Sequence, residues 1–375
     1  MSRAGRVAFL TNFLPPYRIP FLEALALRVQ ALRVFVSTPM EPNRDWPPEW
    51  GALDVIVQRG VSVSRTWRER RFSERLDLHV PMDTIPLLRA YRPDVILSSE
   101  MGARTAQAMI FGRATGTPVH IWATLVDHLE SRRGRTRRLL RHWLLRDAAG
   151  IIVNGAGGAC YIRRFAVPEQ RIARIPQTTA IDRFACVALE RGPDEAHRLL
   201  VVGSLSQRKG VDLLLAGVRM AAERAPARRI ELIVVGDGPE GDRLRAFDLP
   251  PQVRVTWHGH AAYGALPALY GRCGILVFPT LGDEWGLVVN EALAAGVPVL
   301  GSRYSQAVEE LVVDGVNGWT FLPDSVTDVA AALERALGTS ATKLADMRVA
   351  ARASVAALTP DHVADRFVQA LHVCD

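Results

Sequence analysis

Short apolar runs recur along this chain with helix-like segments between them, and that recurrence is what its hydrophobic and polar positions first establish. Residues 6–11, 32–37, 94–98, 119–123 and 150–154 read as strands, and residues 20–29 as a helix. Near residues 175–184 the alternation breaks, and a polar stretch, Glu190-Arg191-Gly192-Pro193-Asp194-Glu195, precedes its restart at Leu199. Further strands are expected at 231–235, 254–257, 274–278, 297–301 and 319–321. Strands alternating with helices predict parallel sheets covered on their faces, here an α/β chain with one domain over 1–182, a linker over 183–197 and a second domain over 198–358.

Two loops in the second half carry candidate chemistry. The first, Gly203-Ser204-Leu205-Ser206-Gln207-Arg208-Lys209-Gly210, follows the apolar run 198–202. The chain holds 44 Arg and 2 Lys, so a lysine beside an arginine in a glycine-flanked loop is unusual for it. A compact ammonium next to a forked guanidinium suits a diphosphate; taken alone, the same loop also reads as a solvated basic turn. The second loop, Gly282-Asp283-Glu284-Trp285-Gly286, follows the run 275–279 and leads into a helical pattern holding Glu291. A strand entering a glycine turn and then a helix places acidic side chains and backbone N–H groups together at a sheet's carboxyl edge, which suits a phosphorylated polyol. The plainer reading of Asp283 and Glu284 is charge stabilisation of a helix N-terminus.

Together these motifs resemble the retaining glycosyltransferases of family 4, which have the GT-B fold. The resemblance rests on Gly203-x-Leu205-x-x-x-Lys209-Gly210 and on Asp283 separated by seven residues from Glu291. It extends to the segments 234–239, 255–259 and 310–318, and more weakly to Asn12-Phe13-Leu14-Pro15-Pro16-Tyr17-Arg18. It implies two Rossmann-like domains with parallel sheets facing a central cleft, an acceptor-binding N-terminal domain, and a C-terminal helix within 359–375 that returns to it. It implies that Arg208 and Lys209 neutralise the leaving diphosphate, helped by the N–H groups of Gly286, Leu287 and Val288, and that Glu291 holds the ribose hydroxyls. Gly203, Gly236, Gly259, Glu284 and Trp285 would complete the donor site. Asp283 stands where the family usually has glutamate, so the sugar sits closer by one methylene, its contact passes to Glu284, or the donor differs from the family's commonest one. Asp127 and His128 are candidates near the reacting centre, and Tyr17 and Arg18 would help enclose donor or acceptor. The expected activity is transfer of a hexose from a UDP- or GDP-linked sugar to a glycan, lipid-linked or small-molecule acceptor in polysaccharide or glycoconjugate synthesis. The alternatives are a GT-B sugar-nucleotide epimerase and a non-catalytic sugar-nucleotide-binding partner of a transferase. No Asp-x-Asp triplet occurs in the sequence, so no metal and no cofactor are expected.

Composition narrows the classes. With 375 residues and 49% hydrophobic positions, the chain supports two cores and is neither disordered nor fibrous. Cys160, Cys186, Cys273 and Cys374 are scattered without a Cys-x-x-Cys pair, and no signal peptide or membrane-spanning run is read, so a cytoplasmic protein is expected. Residues 1–195 carry a net charge of +10 and the remainder −3. The excess gathers in Arg65, Arg68, Arg70, Arg71 and Arg75, and in Arg132, Arg133, Arg135, Arg137, Arg138, Arg141 and Arg146. The second cluster interleaves Leu139, Leu140, Trp143, Leu144 and Leu145, so as a helix it would suit the anionic inner face of a membrane, or an ordinary core with a solvated arginine face. No nucleic-acid-binding signature appears.

Overall fold

The computed structural model describes residues 4–41, 48–69, 71–130 and 134–372. Arg70, Arg132, Arg133 and Cys374 lie outside the described residues. Contacts divide the chain into two units, the first formed by Met1–Trp67, Arg75–Thr179 and Pro360–Asp375, the second by Arg68–Glu74 and Ala180–Thr359.

The strands of the first unit, apart from the end Arg68–Glu74 of the β4–β5 pair, are β1 (Ala4–Thr11), β2 (Val29–Val36), β3 (Asp54–Val57), β4 (Gly60–Arg68), β5 (Ser73–Pro81), β6 (Val95–Ser98), β7 (Val119–Ala123), β8 (Gly150–Val153) and β9 (Ile172–Arg174). Seven of them make one sheet in the order β3-β2-β1-β6-β7-β8-β9, and β4 pairs with β5 separately. The sheet's pairings are parallel, with Val7 opposite both Leu32 and Val95. Strands buried on both faces read as near-continuous apolar runs, which explains why β1, β6, β7 and β8 are visible in the sequence. The hairpin strands are mostly exposed and carry no such signal. The expected helix over 20–29 ends at Ala26, because Val29 opens β2 and pairs with Ala4.

One sheet face is covered by Ile96, Ile121, Leu144 and Ile151, the other by Phe9, Phe21, Trp122 and Phe367. Phe367 comes from the helix Pro360–His372, and its ring lies 4.7 Å from that of Phe21 and 5.0 Å from that of Trp122. Arg28 fixes the same helix through Asp365 at 2.6 Å.

The arginine-rich segment forms the helix Arg135–Asp147, with Leu144 and Leu145 buried and Leu140 and Trp143 packed partly against the core. Arg141 is also inside, paired with Glu130 and the Tyr161 hydroxyl. The apolar stripe is therefore core-facing, and Leu139, at 70% exposure, is the apolar side chain it leaves outward. Among the described residues no helix is long and apolar enough to cross a membrane.

The second unit contains β10 (Leu199–Val202), β11 (Ile230–Val235), β12 (Val253–Gly259), β13 (Ile275–Phe278), β14 (Val299–Ser302) and β15 (Gly318–Phe321). Their order is β12-β11-β10-β13-β14-β15, again parallel, with hydrophobic clusters on both faces. The order reverses between β10 and β13. In open α/β sheets, ligands bind beyond the carboxyl ends of the strands at such a reversal.

Candidate functional site

The two loops singled out from the sequence leave β10 and β13, the strands that flank this reversal. Glycine lets them and their neighbours close up. Gly236, after β11, has φ +131°, and a Cβ there would stand 1.9 Å from the Gly203 carbonyl. The Gly203 N–H donates to Val235 O at 2.9 Å, Leu205 N–H to Asp237 O at 2.9 Å, and Gly236 N–H to Gly259 O at 2.7 Å. Three strand ends are thus stitched into one backbone platform. Gly210 (φ +67°) ends the short turn Gln207–Lys209, and a Cβ on it would meet the Pro279 carbonyl at 2.3 Å.

The same contact locks the two loops together. Leu281 N–H donates to Arg208 O at 2.8 Å, and Arg208 Nη1 donates to Gly282 O at 3.0 Å. Thr280 is fully buried, and its hydroxyl lies within hydrogen-bond reach of both Arg208 O and Gly282 O. Lys209 Nζ stands 2.5 Å from Asp283 Oδ2 and 5.3 Å from the centre of the Phe278 ring. Arg208 Nη1 lies 3.6 Å from the same carboxylate, and its Nε donates to Glu74 Oε2 at 2.6 Å. Glu74 belongs to the segment Arg68–Glu74 of this unit. Ser73 N–H donates to Gln207 Oε1 at 3.0 Å, and Arg71 pairs with Asp324 at 2.6 Å.

Burial alone would raise the Asp283 carboxyl, but Lys209 and Arg208 outweigh it and hold it below the usual range. Burial also opposes the Arg208 charge, and Asp283 and Glu74 overcome that opposition. The result is a partly enclosed set of two cations and two carboxylates, each cation already aimed.

Gly286 (φ +106°) precedes the helix Leu287–Ala294, and a Cβ there would press on the Phe278 ring at 2.6 Å. The first N–H groups of a helix lack intrahelical acceptors, so Gly286, Leu287 and Val288 bring donors to this corner. Trp285 is buried, with its indole N–H on Asn290 Oδ1 at 2.8 Å, so its backbone rather than its ring borders the loop. Glu284 is exposed, and its carbonyl accepts from Gln306 Nε2 at 2.8 Å. Glu291 is 3% exposed and accepts from the Tyr270 hydroxyl at 2.9 Å. Burial pushes its carboxyl up to about 8, against the opposing pull of Tyr270.

The remaining sequence candidates belong to the first unit. Arg18 places its guanidinium 4.9 Å from the Trp122 ring centre and 3.5 Å from the Thr11 hydroxyl, with Tyr17 beside it in the turn Pro16–Arg18. Asp127 and His128 start the turn Asp127–Glu130 after β7. Asp127 Oδ2 accepts from Arg164 Nη2 at 2.7 Å, and His128 is exposed. The structure therefore gathers Arg208, Lys209 and Asp283 into one cluster. It adds Glu74, Tyr270 and Thr280, which the sequence reading did not include. Long-range pairings of this kind leave no local pattern to read.

Two family models match the chain. One, described as glycosyl transferases group 1, covers residues 196–339, and the other, a glycosyl transferase 4-like domain, covers residues 21–178. Glycogen synthase of Mycobacterium tuberculosis is 31% identical over 202 residues, 52% of this chain and 47% of that protein. The D-inositol 3-phosphate glycosyltransferase of Nocardiopsis dassonvillei is 27% identical over 246 residues, 59% of this chain and 53% of its own. The match thus spans about half the length of each of these curated relatives. Among solved structures, Anabaena HepE in complex with UDP superimposes with a TM-score of 0.71 at 17% identity, covering 98% of this chain and 99% of that one. The same protein has been solved with UDP and glucose and with UDP-glucose.

Proposed function

Because this chain belongs to the group 1 glycosyltransferases of family 4, built on the GT-B fold, we propose that it transfers a hexose, with retention of configuration, from a nucleotide diphosphate sugar to a glycan, lipid-linked or small-molecule acceptor. The observation that carries this reading is the locking of the Arg208–Lys209 turn onto the Gly282–Asp283 loop at the sheet's reversal. Breaking an anomeric C–O bond leaves negative charge on the diphosphate, and cations already in position stabilise that charge without reorganising. Arg208 and Lys209 supply the charge, and the start of the helix Leu287–Ala294 adds N–H donors. Asp283 orients both cations and faces the donor-sugar hydroxyls, while Glu291 takes the ribose. The UDP complexes of the structural relative support uridine as the base. Contact with an anionic membrane, where the acceptor is lipid-linked, would use the exposed Arg135, Arg137 and Arg138.

Calorimetry with UDP, GDP, ADP and their sugar conjugates tests the reading. One base class should bind, and binding by none of them overturns it. With two cations and a helix terminus at the leaving group, turnover should be unchanged in EDTA; strong loss that manganese restores would overturn the metal-free part.

Glu74 occupies the Arg208 guanidinium that the diphosphate needs. Glu74→Gln should therefore tighten UDP binding by about three- to tenfold, since a competing carboxylate is removed. Equal or weaker affinity in the variant would mean that Glu74 orients Arg208 rather than competing for it.

A further inference from the structure

The first unit's sheet has its own reversal, between β1 and β6. Asn12 directly follows β1, Glu100 lies just beyond β6, and the helix Ala103–Thr115 begins immediately after. Arg104, in the first turn of that helix, is 0% exposed. Its Nη2 donates to Asn12 Oδ1 at 2.5 Å and to Glu100 Oε1 at 2.8 Å, so it bridges the two strand ends that define the reversal.

The rest of its guanidinium is unsatisfied: Nε and Nη1 are buried and have no hydrogen-bond partner. A buried guanidinium normally fills its donors, because each empty one forfeits the hydrogen bond it made in water. Burial depresses the Arg104 charge, and Glu100 opposes that effect. Glu100 itself is 24% exposed, so the carboxylate facing Arg104 is the solvent-reached side of the pair. Most other ionised pairs of this unit, such as Arg33 with Asp54, lie toward the surface. Arg104 Nε and Nη1 are buried without a protein partner, and they sit where α/β sheets take ligands.

We propose that Asn12, Glu100 and Arg104 form a subsite for an oxyanion, a phosphate or carboxylate group carried by the acceptor, with Glu100 occupying the guanidinium until that group arrives. An oxyanion presents several acceptor oxygens to the unfilled donors and forms charge-assisted bonds with them. The word acceptor rests on the transferase reading; the oxyanion site does not.

The test is calorimetric titration of inorganic phosphate, and separately of acetate, into the full chain saturated with UDP so that the Arg208–Lys209 loop is filled. Wild type, Glu100→Gln and Arg104→Gln are compared. We expect one or both anions to bind, roughly five- to tenfold more tightly in Glu100→Gln because the competing charge is gone, with binding lost in Arg104→Gln. Phosphate alone would assign a phosphoryl group, and acetate alone a carboxylate. Absence of binding by either anion, or equal affinity in wild type and Glu100→Gln, overturns the proposal. If Arg104→Gln fails to fold, the partly exposed Glu100→Gln still decides the matter. Failure of UDP to bind strikes the transferase reading alone, because the dependence of anion binding on Glu100 and Arg104 still assigns it to this site rather than to the Arg208–Lys209 loop.

Discussion

Lys209→Ala should abolish detectable nucleotide-sugar binding in a thermal-shift assay and lower kcat/KM by about 10²–10³, the usual cost of removing one preorganised donor from a developing charge. The size of the effect follows from the enclosure of the site. Lys209 is 19% exposed at its side chain and lies against Asp283 and the Phe278 ring, so the charge it offers a diphosphate is only weakly screened. Lys209→Arg is a stringent companion. A guanidinium keeps the charge but not the compact shape at 2.5 Å from Asp283, and most of the loss should remain. Undiminished UDP affinity in Lys209→Ala would remove this loop from the donor site.

Glu291→Gln should change both stability and donor binding, in ways that pH separates. The folded carboxyl titrates near 8, against an ordinary value of 4.5, because burial disfavours its charged form. Between those values the folded chain keeps a proton that the unfolded chain has released. This group therefore costs no stability below about pH 4.5 and progressively more as pH rises through about 8. Melting temperatures of wild type and Glu291→Gln should converge near pH 5, and the variant should be the more stable near pH 8.5. Parallel curves would show that Glu291 is ionised when folded.

Donor binding supplies the second readout. A carboxylate accepting from two ribose hydroxyls must be ionised, so donor binding near neutral pH should release a proton from Glu291. The binding enthalpy should then vary with the ionisation enthalpy of the buffer, and that variation should vanish in Glu291→Gln. A wild-type enthalpy independent of buffer would show that donor binding leaves the protonation of Glu291 unchanged.

The parallel strands were legible because burial on both faces leaves continuous apolar runs, as in Ile275-Leu276-Val277-Phe278. The hairpin of β4 and β5 was not legible, since its residues face solvent and follow no apolar period. The short β3 and β9 are edge strands whose residues are only partly buried. In the candidate site, the glycine-flanked motifs were legible as two loops that each follow an apolar run, while the adjacency of their strands appeared only in the sheet order. The motifs did not reveal what their side chains touch. The pairing of Arg208 with Glu74 joins residues 134 positions apart, and Tyr270 reaches Glu291 from a separate helix. Arg141 shows the limit of charge counting. It belongs to the most basic stretch of the chain, yet it is spent internally on Glu130 and Tyr161. Composition records that a charge exists and says nothing of what neutralises it.

The scarcity of lysine gives the Arg208–Lys209 loop a chemical identity of its own. Of the two lysines in 375 residues, Lys343 is exposed on the helix Ala341–Val355, and Lys209 is enclosed beside Asp283. An amine-reactive tag therefore meets two side chains of opposite accessibility. Lys343 serves as an internal standard for reagent strength, and labelling at Lys209 becomes a mass-spectrometric gauge of whether the loop is occupied. In an arginine-built protein, one enclosed lysine is a built-in reporter.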